Sequence, residues 1–277
     1  APANHTHSTT LSSPLIGSAT PFIALAGDST LATIPGIITP SSTLVHGTLL
    51  HGRACSISTM ASETARVLAI SLHNQPWFGE MYAPLLTALR SNAEFQQAEH
   101  STSAIQFLSQ HPEPSAVLIT DEALTLRENS AVWEAVLEYV RRGGTAIVMG
   151  LFPSFVQPNS MKPFFSRAGL HWGAGSYHRT TLALNSAAVD VANARKLPQR
   201  YSQKAVFVNN VVPENMWYKT DDNSVVQSAV FPPTSANTTG ETAVAMATVG
   251  RGKLGYVGDV NAEDGSNAVI LAMCGFL

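Results

Sequence analysis

The sequence predicts an α/β protein with a doubly wound, mainly parallel sheet and a strand-rich C-terminal half. Short, continuous apolar runs such as residues 67–72 are typical of strands that are buried on both faces. Amphipathic segments such as residues 131–142, which end at Gly143-Gly144, alternate with these runs and indicate crossover helices. From about residue 180 onward, strand-like runs follow one another directly and indicate antiparallel pairing.

The first half of this region contains repeated strand–helix units. Val67–Leu72 is the opening strand, and Met81–Arg90 follows as a helix with Met81, Leu85 and Leu89 on one face. The remaining predicted elements of this half are the strands Phe95–Glu99, Ala116–Thr120 and Thr145–Met149 and the helices Ser103–Ser109, capped by Ser101 or Thr102, and Ala131–Arg142.

The second half is predicted to contain more strand than helix. A hairpin turns at Gly250-Arg-Gly252, and the chain closes with a helix over Gly265–Gly275. We expect one domain over residues 60–277. The predicted strands are Thr180–Leu184, Ala205–Val211, Val225–Phe231, Ala243–Val249 and Leu254–Val260.

Residues 1–59 have a different composition from the rest of the chain. They contain one acidic residue, Asp28, one basic residue, Arg53, and many serines, threonines and prolines. Such a segment cannot bury enough apolar area to offset its ordering entropy, so we predict a disordered tail or leader that folding does not require. Met60 is a natural place for a start, and the sequence begins with Ala1.

Charge and cysteine content limit the classes of partner and compartment. The 16 lysines and arginines are outnumbered by 19 acidic residues, and no basic run exceeds Arg141-Arg142, so we expect no nucleic acid or membrane partner. Gly, Pro, Ser or Thr interrupts every apolar stretch, which predicts a soluble protein. Two cysteines, Cys55 and Cys274, favour the cytoplasm; secretion would follow if residues 1–59 came after a removed signal peptide.

Neither a metal nor a cofactor is predicted. No two histidines have the helical spacing of four that directs two rings at one ion. The glycine-rich segment Gly169–Ser176 does not follow an apolar strand, so it does not indicate a phosphate cradle. The histidine pairs that lack the required spacing are His5/His7, His46/His51 and His171/His178.

Polar and aromatic residues follow four of the predicted strands. Ligands of open α/β sheets bind at the carboxyl ends of the strands, so these loops predict a site for a small molecule. The catalytic candidates are His73, Asp121 and Glu263. The predicted ligand-binding residues are His73, Asn74, Trp77, Asp121, Phe152, Asp259, Asn261 and Glu263.

Structural roles are an alternative for each of these residues. In a functional role the His73 ring would meet Asp121 or Glu263 across the switch point; in a structural role it would bond a loop carbonyl. Asp121 and Glu122 also suit the N-terminal end of a following helix, and the aromatic rings can belong to the core.

Three segments carry a resemblance to a known family. They are the opening strand with His73-Asn-Gln, the helix–Gly-Gly–strand unit over Tyr139–Gly150, and the closing run Gly250–Asp259. On these segments, the region Arg66–Leu277 resembles the class I glutamine amidotransferase-like superfamily, in particular its ThuA-like, trehalose-utilisation branch. The resemblance implies a flavodoxin-like fold and a carbohydrate ligand.

The resemblance does not extend to the catalytic residues of the superfamily. Its active members carry a cysteine on the turn after the strand that matches Thr145–Met149, and a histidine followed two residues later by a glutamate after the last strand. Here the turn reads Gly150-Leu-Phe-Pro, Asn261 replaces the histidine, and Glu263 matches the glutamate. Without a thiolate, transfer of ammonia from glutamine is not expected. Cys274 lies among apolar residues of the closing helix and is predicted to be buried.

A second nucleophile comes from another local pattern. Phe22–Thr30 resembles the first block of the GDSL/SGNH esterases, with Ser29 as the nucleophile of a hydrolase. Such enzymes also need an Asp-x-x-His pair near the C-terminus, whereas the last histidine of this chain is His178.

Three functions therefore remain open at this point. The leading prediction is an amidotransferase-like domain without the Cys–His pair that binds, and in one version processes, a small polar or carbohydrate ligand. The alternatives are a hydrolase that uses Ser29 and a non-catalytic assembly protein. The sequence leaves open whether the protein is an enzyme and whether it forms a homo-oligomer.

Overall fold

One mixed sheet of nine strands organises the part of the protein that the computed structural model describes, residues 64–230 and 232–277. The predicted tail, with Ser29 and Cys55, lies outside these residues. The strands are β1 (Arg66–Ile70), β2 (Glu94–Ala98), β3 (Ala116–Ile119), β4 (Thr145–Val148), β5 (Gly173–Leu184), β6 (Arg200–Asn209), β7 (Met216–Lys219), β8 (Val244–Val249) and β9 (Gly252–Val257).

The sheet divides into a parallel part and an antiparallel part. The strand order is β2-β1-β3-β4-β9-β8-β7-β5-β6, and pairing is parallel from β2 to β9 and antiparallel beyond. The predicted α/β class, with a doubly wound sheet and a strand-rich C-terminal half, is confirmed.

Eight α-helices occur among the described residues. Helix α4 buries Val132, Val136 and Val140, as their spacing predicts, and ends at Gly143, whose φ of 125° few other residues adopt. No helix in residues 64–230 and 232–277 is long and apolar enough to cross a membrane. The helices are α1 (Phe78–Met81), α2 (Ala83–Asn92), α3 (Ser101–Leu108), α4 (Ser130–Arg142), α5 (Phe152–Phe155), α6 (Pro158–Ser166), α7 (Val191–Lys196) and α8 (Asp264–Met273).

Two helix predictions need correction. The predicted helix Met81–Arg90 is two helices, because Pro84 in the first turn of α2 disfavours a continuous helix through the preceding residues. The predicted helix Ser103–Ser109 begins earlier, at Ser101, and its N-cap residue is His100 rather than Ser101 or Thr102.

The strand predictions are wrong in part of the second half. Val225 makes only an isolated bridge to Ser235, so Val225–Phe231 is not a strand in its described part; Phe231 itself lies outside the described residues. The second part of the glycine-rich segment, from Gly173 onward, belongs to β5, where the register is irregular between Ala174 and Tyr177. Strand β7 was not predicted.

Apolar residues fill both faces of the sheet. On one face Trp133 stacks on Phe164 with 4.1 Å between ring centroids. On the other face lies Cys274, where burial raises the pKa of the thiol to about 12 and keeps it neutral. The prediction that Cys274 is a buried structural residue is confirmed.

Candidate functional site at the carboxyl edge of the sheet

The loops after β1 and β3 meet where the connection from β1 to β2 and the connection from β3 to β4 leave in opposite directions along the sheet. The backbone N–H of His73 donates to Asp121 Oδ2 (2.9 Å). The other oxygen of Asp121 accepts from the N–H of Ala123 (3.1 Å) and caps the short 3₁₀ helix Glu122–Thr125. Asp121 therefore has the capping role that the sequence left open, and it also ties the two loops together.

The ring of His73 pairs with a carboxylate that the sequence did not single out as its partner. Its Nδ1 lies 2.9 Å from Glu122 Oε1, whereas the predicted partners were Asp121 and Glu263. The hydrogen bond to Glu122 raises the pKa of His73 above its ordinary value. The His73 side chain remains 41% exposed, so this charge pair is open to a ligand.

Burial sets the protonation of Asp121. Its residue exposure is only 2%, and this desolvation raises the pKa of Asp121 to about 6. The two accepted backbone hydrogen bonds oppose the shift without cancelling it. A carboxyl group that titrates near neutral pH is typical of functional sites, although a structural network can also produce one.

The stability of the protein should depend on the ionisation of Asp121. Because its folded-state pKa is raised, its contribution to stability is full below about pH 4 and is lost as the pH rises through about 6. Two pKa units correspond to about 3 kcal/mol. Measured by urea unfolding, the free energy of unfolding of wild type should fall by up to about 3 kcal/mol relative to that of Asp121→Asn between pH 4 and 7. Glu138→Gln, on the exposed face of α4, is the control and should follow wild type. If the free energies of wild type and Asp121→Asn change in parallel with pH, Asp121 does not have the raised pKa.

A small polar cavity of about 290 Å³ lies beside His73. Asn74 fixes one of its walls, because its Nδ2 donates to Glu99 Oε1 (2.9 Å). Trp77, in the same loop, is 48% exposed. No group of three His, Cys, Asp or Glu side chains in the described part of the chain has the geometry to hold a metal ion. The cavity is lined by Leu72, His73, Glu99, His100, Ser101, Glu128 and Asn129.

A second polar cluster follows β9. The buried carboxylate of Asp259 accepts from the backbone N–H groups of Asn261 and Glu263, both at 2.7 Å. Burial raises the pKa of Asp259 above its ordinary value. These two hydrogen bonds hold Ala262 at a φ of 56°, a conformation that a non-glycine residue adopts at a cost.

Arg179 of β5 completes this second cluster. Its Nη2 donates to Glu263 Oε1 (2.5 Å) and, with the Asn261 amide oriented to satisfy its neighbours, to Asn261 Oδ1 (2.6 Å). Sequence reasoning missed Arg179 because it is 84 residues from Glu263 and no motif marks it. No hydrogen bond or ion pair among the described residues joins this cluster to His73 and Asp121.

The turn after β4 has no space for a side chain at its first residue. Gly150 has a φ of 70°, and a Cβ there would lie 2.9 Å from Thr120 O and 3.3 Å from the Phe78 ring. Phe152 is fully buried against Phe164 and Tyr256. The prediction that Phe152 lines a ligand cleft is therefore wrong; its ring belongs to the core.

Comparisons with known proteins identify a shared fold. No protein-family model matches the chain, and no curated protein does. A protein from Bacteroides uniformis ATCC 8492 described as ThuA-like aligns with a TM-score of 0.50 and 10% identity over 76% of this chain and 89% of that one. At this identity the likeness establishes the α/β fold and nothing finer.

Two further structures are less similar. The β-galactosidase from Bacillus circulans sp. alkalophilus has a TM-score of 0.46 and 12% identity over 77% of this chain, which spans only 32% of that enzyme. A Thermoplasma acidophilum protein described as belonging to GMP synthase has a TM-score of 0.39 and 9% identity over 76% of this chain and 94% of that one.

Proposed function

We propose that the protein is an amidotransferase-like domain that does not hydrolyse glutamine and binds a small carbohydrate at the carboxyl ends of β1 and β3. The observation that carries this proposal is the partly exposed His73–Glu122 pair, held by the buried carboxylate of Asp121 beside a polar cavity. This arrangement lies where doubly wound sheets bind ligands.

The turn after β4 supports the absence of glutamine chemistry. None of the turn residues Gly150-Leu-Phe-Pro has a thiol, and a side chain at Gly150 would meet the ring of Phe78 and the carbonyl of Thr120. Glu263, at the position of the superfamily's glutamate, is paired with Arg179 and is not available as a partner for a histidine. A covalent thioester intermediate therefore has no residue to form on.

The chemistry of the cavity favours an uncharged, hydroxyl-bearing ligand. Glu99 and Glu128 line the cavity, and Glu122 lies beside it, so the site offers carboxylate acceptors to hydroxyl donors and repels anions. His73 supplies an N–H donor. Trp77 does not line the cavity but is exposed in the same loop, and we propose that its ring stacks on the apolar face of the part of the sugar that extends out of the cavity. A volume of about 290 Å³ is at the lower end for ligand clefts and suits one sugar ring.

Calorimetric titration tests the proposal. Glucose, galactose, mannose and trehalose would be titrated into wild type and into Glu122→Gln, Trp77→Ala and the control Glu138→Gln, which lies on the exposed face of α4. At least one sugar should bind to wild type, and Glu122→Gln and Trp77→Ala should each weaken it by about tenfold, which is about 1.4 kcal/mol. The control should bind as wild type does. Absence of binding by all four sugars, or normal binding by Glu122→Gln, would refute the proposal.

A further inference from the structure

We propose a second binding site, for a small organic anion, in the cavity of about 840 Å³ on the strand-rich half of the protein. It is separate from the carbohydrate site and shares no lining residue with it. Its walls come from α6, the connections that precede β5 and β7, and the long connection between β7 and β8. The lining residues are Lys162, His171, Asn210, Val211, Val212, Pro213, Met216, Lys219, Thr220 and residues 237–240.

The charge of this cavity is positive. Lys162, Lys219 and His171 line it, whereas no aspartate or glutamate does. Neither lysine forms an ion pair or a side-chain hydrogen bond within residues 64–230 and 232–277. Two unneutralised ammonium groups on one cavity, in a protein of net charge −3, favour an anionic ligand.

A buried hydroxyl group in the wall lacks a partner. Thr238 Oγ1 is inaccessible to solvent and makes no hydrogen bond, although the N–H of the same residue donates to Thr220 Oγ1 (3.2 Å). Rotation of the Thr238 side chain about χ1 toward the cavity would expose this hydroxyl, and an oxygen of a bound ligand would then satisfy it.

A hydrogen bond between two connections orders the rim. Asn210 has a φ of 55°, in the left-handed region, and the adjacent Val211 N–H donates to Gly240 O (3.1 Å). This hydrogen bond joins the connection before β7 to the connection between β7 and β8, so it fixes two walls of the cavity relative to each other.

Apolar residues on one side of the cavity favour an organic anion over an inorganic ion. Val211 and Met216 are buried side chains in the wall, and Pro213 and Val212 extend the same surface. A ligand that fits this surface has a carbon body that carries a phosphate monoester or a carboxylate, with hydroxyl groups for the Asn and Thr side chains. Sugar phosphates and sugar acids share this chemistry.

Calorimetric titration at low ionic strength distinguishes a sugar phosphate from a sugar acid as the ligand. Glucose 6-phosphate, glucuronate, glucose and inorganic phosphate would be titrated into wild type, into the double variant Lys162→Gln/Lys219→Gln, and into Thr238→Val. Lys253→Gln, an exposed lysine of β9 outside the cavity, is the matched control. At least one of the two organic anions should bind more tightly than inorganic phosphate. The double variant should weaken it by at least about tenfold and Thr238→Val by several-fold, while Lys253→Gln has no effect.

Several outcomes would overturn the second site. They are binding of neither organic anion, equal affinity for inorganic phosphate, and unchanged affinity in the double variant. Glu122→Gln should leave anion binding intact, because it alters only the carbohydrate site. Failure of the carbohydrate proposal is thereby distinguishable from failure of this one.

Discussion

Replacing Gly150 by cysteine is expected to lower the free energy of unfolding by about 2–5 kcal/mol and to create no glutaminase activity. A left-handed φ of 70° costs a non-glycine residue about 1–3 kcal/mol, and the new Cβ would lie 2.9 Å from the carbonyl oxygen of Thr120. The thiol would also have no histidine partner after β9, where Asn261 stands. Urea unfolding and a glutamine hydrolysis assay measure the two effects.

Gly169 provides the control for this substitution. Its φ of 78° is similar, but a Cβ there would have no atom within 4 Å. Gly169→Ala should therefore show the backbone strain alone, about 1–2 kcal/mol. A Gly150→Cys protein as stable as wild type, or one that hydrolyses glutamine, would contradict the interpretation of this turn.

Replacing Phe152 by alanine is expected to lower the free energy of unfolding by about 3–5 kcal/mol, the range for a fully buried aromatic residue. Phe155, three residues later and 46% exposed, is the matched control, and its alanine variant should lose less than about 1 kcal/mol. The affinity for a carbohydrate should not change in either variant that remains folded. A stable Phe152→Ala protein with lost affinity would restore Phe152 as a ligand contact.

The parallel part of the sheet could be predicted from the sequence because its strands carry their own signal. Residues 116–119 are fully buried, and only a continuous apolar run satisfies such an environment. Strand β7 could not be predicted, since Met216–Lys219 ends in an exposed lysine, follows a Pro-Glu-Asn turn, and is placed by its pairing with β8 and β5. The false strand Val225–Phe231 has the composition of a strand, but Pro232 and Pro233 follow it and cannot donate ladder hydrogen bonds.

The location of the candidate site could be predicted better than its contacts. His73 and Asp121 each follow a predicted parallel strand, so the sequence predicts that they lie at neighbouring carboxyl ends. The structure joins them by a hydrogen bond from the His73 N–H to the Asp121 carboxylate. The partner of the His73 ring depends on how the Asp121–Glu122 turn directs each carboxylate, which no local pattern specifies. The partner of Glu263 is Arg179, on a strand that the antiparallel half brings to the same edge.

The carboxylates of this edge divide into two groups. Asp121 and Asp259 are both buried and have a raised pKa, whereas Glu263 is paired with Arg179. The proposed binding function is placed at β1 and β3 because the His73–Glu122 pair there is partly exposed.

Mapping of ligand contacts by backbone amide NMR tests the central claim most directly. The spectrum of the folded protein would be followed during titration with the tightest-binding sugar of the calorimetric panel. Shift changes should concentrate at His73, Asn74, Trp77 and Glu122, and His73→Ala should abolish them while its melting temperature stays within a few degrees of wild type. Shift changes confined to the strand-rich half, or unchanged sugar binding in His73→Ala, would contradict the account.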